Sequence, residues 1–254
     1  MIKISLESDN RQVGRAAATT GAAALREAIR RNGTANIVIA TGASQIEMLA
    51  MLTTLPDIDW SCVTAFHLDE YIGMPEIHPA SFRRYLKERF TEVLPDLREF
   101  HFIAGDAPDL SAELDRINGL AESYPIDVTF AGIGENGHLA FNDPPADFTT
   151  TDAYKIVQLD DRCRRQQFNE GWFPSLKDVP HQAISMTVPQ ILKSRSIILA
   201  VPDRRKAEAV RATLEGPLTP NCPASILQQH AACHLFLDPE SASLLKQATV
   251  DIGI

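Results

Sequence analysis

The stretch ANIVIATGAS at residues 35–44, continued by QIEMLAMLTTL at residues 45–55, decides the fold. Its first part is a short run of β-branched and small apolar residues, which is typical of a buried strand. A loop of small residues follows, and the apolar side chains after this loop recur at helical spacing. Strand, loop and helix form a βα unit, so the sequence predicts a sheet whose strands alternate with helices.

The same alternation recurs on both sides of this unit. Further strands are predicted at residues 62–70, 99–105, 126–134, 196–202 and 233–238. Helices are predicted at residues 10–32, 78–94, 110–124, 204–216 and 223–230, with a terminal helix after residue 238. Near-continuous apolar strands are typical of a sheet that is covered on both faces. We therefore expect an α/β fold with a doubly wound, mainly parallel, Rossmann-like sheet and helices on both faces, in a single domain over residues 1–254.

One long segment interrupts the alternation. Residues 143–182 carry Pro, Asp and Thr together with the aromatic GWFP run, and they show little periodicity. Long irregular segments inside compact domains are usually functional, and binding residues are concentrated on loops. We interpret this segment as a lid-like excursion beside an active site.

The composition argues against several classes of function. The 254 residues include 24 Lys and Arg against 33 Asp and Glu, which gives a formal net charge of −9. A protein that wraps nucleic acid or lies on anionic lipid needs a basic surface, so neither partner is expected. The apolar runs are strand-sized, the first residues lack an apolar signal region, and the four cysteines form no CxxC pair. These features predict a cytoplasmic protein with reduced thiols.

The loop after the first of these predicted strands is a candidate anion site. In open α/β sheets, ligands bind beyond the carboxyl ends of the strands. Thr41, Gly42, Ala43 and Ser44 offer backbone N–H groups and two hydroxyls at the start of a helix, which suits a phosphate. The loop matches neither the Walker A nor the GxGxxG pattern. A small-residue turn also permits tight packing in any such fold, and that alternative stays open.

A second strand end carries two consecutive carboxylates. The run HLDEYIG at residues 67–73 contains Asp69 and Glu70. Adjacent side chains on an extended backbone point to opposite sides, so at most one of them faces a given ligand. Taken alone, the pattern favours a carboxylate that orders a loop or caps a helix.

The third strand end, GIGENGHLAFNDPP at residues 132–145, combines three glycines with a histidine, an amide and a carboxylate. Glycines such as Gly137 allow the backbone to turn sharply and to approach a ligand closely. His138 can act as an acid or base near neutral pH, beside Asn136, and Asp143 can orient its imidazole. No HxH, HExxH or paired Cys and His spacing supports a metal site, and no GxSxG elbow supports a serine hydrolase.

Several separated motifs, in order, resemble the glucosamine-6-phosphate deaminase (glucosamine-6-phosphate isomerase) family: LDEYIG (68–73), HPASF (78–82), GIGENGHLAFNDPP (132–145), AISMTVPQIL (183–192), KAEAV (206–210) and PASILQQH (223–230). The resemblance extends from about residue 35 to about residue 240. The related 6-phosphogluconolactonases share the fold but typically carry a DER-type strand end and a GHTASLFP-type run. This chain has LDEY and GHLAFNDP at those places, which favours the deaminase branch.

The resemblance implies a reaction that needs neither a cofactor nor a metal. Glucosamine 6-phosphate opens its ring, transfers a proton from C2 to C1 and loses its amine, giving fructose 6-phosphate and ammonia. His138 would open the ring, assisted by Asn136 and Asp143. Asp69 would take the C2 proton after the C1 carbonyl has acidified it.

The resemblance also implies how the phosphate is held. The backbone of the loop at residues 41–44 would bind it, and Lys206 would supply a positive point charge. Members of the family also use an arginine of the lid region on the phosphate. Arg165 is our candidate for that role, with Arg164 and Arg162 as alternatives.

Other functions stay open at this stage. A galactosamine-6-phosphate isomerase or a 6-phosphogluconolactonase-like hydrolase would use the same fold, and the extended lid run at residues 164–173 could encode such a preference. A non-catalytic phosphosugar sensor is the alternative from another class, but the chain offers no helix-turn-helix extension or basic face. A homo-oligomer is possible, because no sequence signature decides the oligomeric state.

Overall fold

The computed structural model describes residues 2–247 and residue 249. Its strands, numbered along the chain, are β1 (Lys3–Leu6), β2 (Ala35–Ile39), β3 (Val63–His67), β4 (Asp69–Tyr71), β5 (Glu99–His101), β6 (Val128–Ala131), β7 (Tyr154–Gln158), β8 (Gln182–Met186), β9 (Ser196–Val201) and β10 (Cys233–Leu237). Seven of them form the main sheet in the order β1-β10-β9-β6-β2-β3-β5. Every neighbouring pair in this sheet is parallel. The other three form a small antiparallel sheet in the order β4-β8-β7.

The α-helices are α1 (Asn10–Asn32), α2 (Ile46–Leu52), α3 (Phe82–Leu86), α4 (Leu110–Ser123), α5 (Asp161–Asn169), α6 (Val188–Leu192) and α7 (Ala207–Glu215). The first agrees with its predicted bounds, because Asp9 caps its start and Gly33, with φ 75°, ends it in the left-handed region. The helix predicted at residues 223–230 is a 3-10 helix over Pro223–Gln229.

Helices cover both faces of the main sheet, so the predicted doubly wound arrangement is confirmed. One apolar cluster contains residues of α1, α2 and α3, and a second contains residues of α4, α6 and α7. Strand β9 contributes to both, since Ile197 and Leu199 join the second cluster and Ile198 and Ala200 join the first. Alternate side chains of a strand point to opposite faces, and each face therefore has its own core.

The strand predicted at residues 62–70 is wrong in one respect, because the chain changes sheets within it. Leu68 separates β3 from β4: its N–H donates to the carbonyl of Ile39 at 3.1 Å, and its carbonyl accepts from the N–H of Met186 at 2.9 Å. One residue thus links the main sheet to the small sheet. Hydrophobic pattern does not reveal such a change, because both strands are buried.

The segment at residues 143–182 contains more regular structure than its sequence predicts. It includes β7, α5 and a 3-10 turn over Leu176–Asp178. Helix α5 lacks an apolar stripe because three of the four side chains that it buries are polar or charged: Arg164, Gln166 and Gln167, beside Cys163. Periodicity detects only helices that bury apolar side chains, so it failed here.

Strand β1, at the edge of the sheet, was not predicted, and neither were β8 and α6. A terminal helix was predicted after residue 238. Residues 239–245 form turns and bends, residues 247 and 249 are helical, and residues 248 and 250–254 lie outside the described residues. Within the described part of the chain, no helix is long and apolar enough to cross a membrane.

The contact between α1 and β6 gives a stability prediction. A Cβ added at Gly21 would overlap the ring of Phe130. We expect Gly21→Ala to lower the free energy of unfolding by about 1–3 kcal/mol, although Ala is the better helix former. The matched control is Gly119→Ala in α4, where a Cβ meets nothing within 4 Å. Urea denaturation should show a small gain for the control, and an equal gain for Gly21→Ala would contradict the prediction.

Candidate active site

A pocket lies beyond the carboxyl ends of the parallel strands, where ligands of such sheets bind. Its walls come from the loop after β2, from β4, from the glycine-rich loop after β6, from the residue before α7 and from the lid segment. The side chains and backbone that line it include Thr41, Gly42, Ala43, Ser44, Asp69, Gly132, Gly134, His138, Gln166, Gln167, Glu170 and Lys206. The structure therefore brings together the three strand ends that the sequence singled out.

Of the two consecutive carboxylates, only Asp69 lines the pocket. Its side chain is 5% exposed and accepts no hydrogen bond from the described residues. Glu70 points away and accepts hydrogen bonds from the Ser81 hydroxyl and from the backbone N–H of Tyr71 and Arg83. Glu70 thus orders the loop before α3, whereas Asp69 is available to a ligand.

The environment of Asp69 makes it a strong base for a carboxylate. Burial, with a smaller contribution from the neighbouring charge of Glu70, raises the pKa of Asp69 from 3.8 to about 8. A carboxylate with this pKa binds a proton far more tightly than an exposed one.

The same shift predicts a pH-dependent effect on stability. Because the pKa of Asp69 is higher in the folded state, the charged form opposes folding, and this penalty grows from near pH 4 to near pH 8. We expect Asp69→Asn to raise the free energy of unfolding near pH 8 by about 2 kcal/mol or more and to have little effect near pH 4. Denaturation curves at both pH values test this. A loss of stability near pH 8 would contradict it.

His138 is held by a network of side chains. Its Nδ1 lies 3.0 Å from Oδ1 of Asp143, which also accepts a hydrogen bond from Nδ2 of Asn136 at 2.8 Å. The backbone N–H of His138 donates to Oδ1 of Asn136, and the backbone N–H of Asp160 donates to Oδ2 of Asp143. Burial alone would raise the pKa of Asp143, but the hydrogen bonds from these groups lower it below its ordinary value. Asp143 is therefore a carboxylate.

This network fixes the tautomer of the imidazole. A carboxylate can only accept, so Nδ1 carries the hydrogen and Nε2 has a free lone pair in the neutral form. Gly134 packs directly against Nε2, since a Cβ there would overlap the imidazole. Gly137 lies outside the pocket lining and has φ 85°, which the turn before His138 requires.

The loop after β2 and Lys206 form the other end of the pocket. Gly42 has φ 99°, and its carbonyl accepts a hydrogen bond from the Tyr85 hydroxyl at 3.1 Å. Lys206 is 5% exposed, and its ammonium forms no ion pair with the described residues. Burial lowers the pKa of Lys206. Ser44 and Lys206 also line an adjoining cavity of about 280 Å³.

The structure does not bring a lid arginine into the pocket. Arg164 is buried and donates to the carbonyls of Leu176 and Val179, which gives it a structural role. Arg165 and Arg162 are exposed and line neither cavity. The assignment of Arg165 to the phosphate therefore stays a prediction that requires the lid to move.

The sequence analysis missed three lid residues that do line the pocket: Gln166, Gln167 and Glu170. The carboxylate of Glu170 accepts hydrogen bonds from Nε2 of Gln166 at 2.9 Å and from Nε1 of Trp172 at 3.2 Å. The sequence did contain a sign of these three residues, namely a polar run inside the segment that was predicted to be a lid. Such a run does not indicate which of its side chains face inward.

One group of potential metal ligands lies in the described residues: His138, Asp143 and Cys163, whose ligand atoms are within 4.8 Å of one another. Burial raises the pKa of the Cys163 thiol well above its ordinary value, so the thiol stays protonated. Asp143 already accepts three hydrogen bonds from the protein, one of them from Nδ1 of His138, so two of the three groups are engaged with each other.

Comparison with known proteins identifies the family. Residues 8–235 match the family described as glucosamine-6-phosphate isomerases/6-phosphogluconolactonase. The glucosamine-6-phosphate deaminase of Exiguobacterium sibiricum is 36% identical over 228 residues, which cover 90% of this chain and 88% of that protein. The glucosamine-6-phosphate deaminase of Streptococcus pneumoniae is 36% identical over 216 residues, which cover 85% of this chain and 89% of that protein.

Solved structures agree with this result. A monomeric glucosamine-6-phosphate deaminase is 31% identical and has a TM-score of 0.85, with coverage of 96% of this chain and 100% of the other. A 6-phosphogluconolactonase from Shewanella baltica, 21% identical, has a TM-score of 0.75 over 94% of this chain and 97% of the other, and shows the fold alone. As the motifs predicted, the chain belongs to the family of glucosamine-6-phosphate isomerases and 6-phosphogluconolactonases.

Proposed function

We propose that this protein converts glucosamine 6-phosphate and water to fructose 6-phosphate and ammonia. The observation that carries the proposal is one pocket that contains both Asp69 and His138. Asp69 is a buried carboxylate that accepts no hydrogen bond from the described residues, and His138 is an imidazole oriented by Asp143. The relatives named glucosamine-6-phosphate deaminase, 36% identical over most of the chain, support it. Each step of this reaction moves protons, for which these groups are suited.

His138 opens the sugar ring in this mechanism. The substrate is a cyclic hemiacetal, so opening removes a proton from the C1 hydroxyl and adds one to the ring oxygen. Nε2 of His138 has the free lone pair that accepts the first proton, and the resulting imidazolium delivers the second. Asp143 stabilises the imidazolium, and Asn136 holds both Asp143 and the backbone of His138 in place.

Asp69 then takes the proton from C2. The electrons of the C–H bond form a C1–C2 double bond, and the C1 carbonyl oxygen becomes a hydroxyl by taking a proton that the substrate's own ammonium group releases. Return of the proton to C1 gives an imine at C2, to which water adds, and the nitrogen leaves as ammonia. In its ionised form, which a pKa of about 8 makes the minor form at pH 7, Asp69 takes this proton more favourably than an exposed carboxylate would.

The phosphate binds at the other end of the pocket. The loop from Thr41 to Ser44 provides backbone groups and hydroxyls. Lys206 provides a buried positive charge that no described residue pairs. Gly137 contributes through the turn that presents His138.

Replacement of Lys206 tests the phosphate site. We expect Lys206→Met to raise KM about ten- to a hundredfold and to change kcat only a few-fold, because a hydrogen bond between charged groups contributes about 1.5–3 kcal/mol. The protein should remain at least as stable as before, since a buried ammonium that has no ion-pair partner among the described residues does not favour folding. The control is Lys193→Met at an exposed position. An unchanged KM would contradict this role for Lys206.

The function itself is tested by release of ammonia and fructose 6-phosphate from glucosamine 6-phosphate, with and without a chelator. Equal amounts of both products, unaffected by the chelator, would support the proposal. Parallel assays with galactosamine 6-phosphate and 6-phosphogluconolactone separate the enzymatic alternatives. If none of the three reacts and glucosamine 6-phosphate still raises the melting temperature, the protein is a sensor rather than an enzyme.

A further inference from the structure

Gln167 is a pocket residue whose side-chain amide is satisfied on one side only. It lies on α5, is 5% exposed and lines the pocket together with Asp69 and His138. Its Oε1 accepts a hydrogen bond from the hydroxyl of Tyr71 at 2.8 Å. The other side of the amide, Nε2, donates to no residue in the described part of the chain.

Tyr71 fixes the orientation of this amide. Tyr71 is completely buried among three phenylalanine rings, and Gln167 is the partner of its hydroxyl. It follows Asp69 by two residues on β4, which places both side chains on the same face of the strand. The strand that carries the base therefore also holds Gln167, with Oε1 towards Tyr71 and Nε2 left for the pocket.

The neighbouring glutamine shows the contrast. The Oε1 of Gln166 accepts from the backbone N–H of Glu135 at 2.9 Å, and its Nε2 donates to Glu170 at 2.9 Å. Both sides of that amide are engaged within the protein. Nε2 of Gln167 is not one of the fully buried unpartnered atoms of the described residues, so it is open to the pocket and available to an acceptor that arrives with the ligand.

We infer that Gln167 binds substrate, with Nε2 donating to a secondary hydroxyl at C3 or C4 of the open-chain sugar. The inference rests on the proposed function, which assigns C1 and C2 to His138 and Asp69 and the phosphate to the loop around Ser44 and to Lys206. The sugar carbons between these two ends would lie against the wall of the pocket that the lid segment forms. A neutral amide donor in a fixed orientation suits a hydroxyl, and it makes Gln167 a residue that determines specificity.

The test measures kcat/KM of wild type and Gln167→Leu with glucosamine 6-phosphate and with its 3-deoxy and 4-deoxy analogues. For wild type we expect removal of one of the two hydroxyls to lower kcat/KM about tenfold or more. For Gln167→Leu we expect kcat/KM with glucosamine 6-phosphate to fall by a similar factor. Removal of the same hydroxyl from the substrate should then cause no further fall, so this deoxy penalty should vanish. The variant Gln167→Glu keeps the acceptor for Tyr71 but loses the donor, and it should give the same loss if Gln167→Leu does not fold.

A merely structural role gives a different result. Gln167→Leu and Gln167→Glu would then lower the activity with all three substrates equally, and an undiminished deoxy penalty in a folded variant would overturn the inference. The control is Gln182→Leu at an exposed position. If wild type releases no ammonia, the proposed function fails by itself. In that case, calorimetry measures the dissociation constants of glucosamine 6-phosphate and its deoxy analogues for wild type and variant, which tests the role of Gln167 without turnover. Equal deoxy penalties in wild type and variant would overturn the inference.

Discussion

Asp69→Asn is expected to bind glucosamine 6-phosphate almost as well as wild type and to lose turnover by a factor of about 10² or more. The amide has nearly the same shape as the carboxylate but cannot accept the C2 proton. The groups proposed for the phosphate, Lys206 and the loop at residues 41–44, remain unchanged in this variant. The loss should therefore fall on kcat rather than on KM.

Steady-state kinetics together with calorimetric titration of the substrate measure both quantities. Asp115→Asn, on the exposed side of α4, is the matched control for removal of one carboxylate and should behave as wild type. If Asp69→Asn retained most of its turnover, Asp69 would not be the base. If it lost binding instead, the carboxylate would hold substrate rather than move a proton.

Asp143→Asn is expected to lower kcat/KM by a factor of about 10² or more, because it removes the group that orients His138. The carboxylate accepts from His138 Nδ1 and Asn136 Nδ2 with one oxygen and from the Asp160 N–H with the other. An amide has only one oxygen. In one orientation the NH₂ of the variant's amide faces the N–H of Asp160, so two donors oppose each other. In the other orientation the NH₂ faces Nδ1 of His138. Nδ1 must then accept a hydrogen bond, and the ring hydrogen moves to Nε2.

Two measurements distinguish this effect from simple unfolding. The thermal unfolding midpoint reports stability, and the ¹⁵N chemical shifts of the imidazole report the tautomer directly. We expect the shifts of Asp143→Asn to show hydrogen on Nε2. Asp143→Glu, which restores both oxygens on a longer side chain, should recover part of the activity. Full activity of Asp143→Asn with an unchanged tautomer would show that Asp143 does not orient His138.

Local sequence pattern was sufficient for the fold class and for the ends of the site. The alternation of apolar strands with helices predicted a parallel sheet with two covered faces, because the inner strands of the sheet are buried on both sides. The motifs at residues 68–73 and 132–145 predicted the family, which the match over residues 8–235 confirms. Cellular location and oligomeric state stay predictions.

Apolar spacing failed to predict structure where polar side chains are buried against partners that are distant in the sequence. Helix α5 could not be recognised by apolar spacing, because it buries Arg164 against backbone carbonyls and Gln167 against Tyr71. The resemblance to the family implied an arginine from the lid, whereas in the structure the lid supplies two glutamines and a glutamate to the pocket.

The sequence by itself determined the alternation of strands and helices through most of the main sheet, the loops at its strand ends and the chemical types available there, since these depend on residues close together in the chain. Tertiary structure decided that Asp69 and not Glu70 faces the pocket, because Leu68 passes the chain from one sheet to the other. It also decided the pKa of Asp69 and the partner of Gln167. Burial and long-range hydrogen bonds depend on which segments meet in space, and neighbouring residues do not encode that.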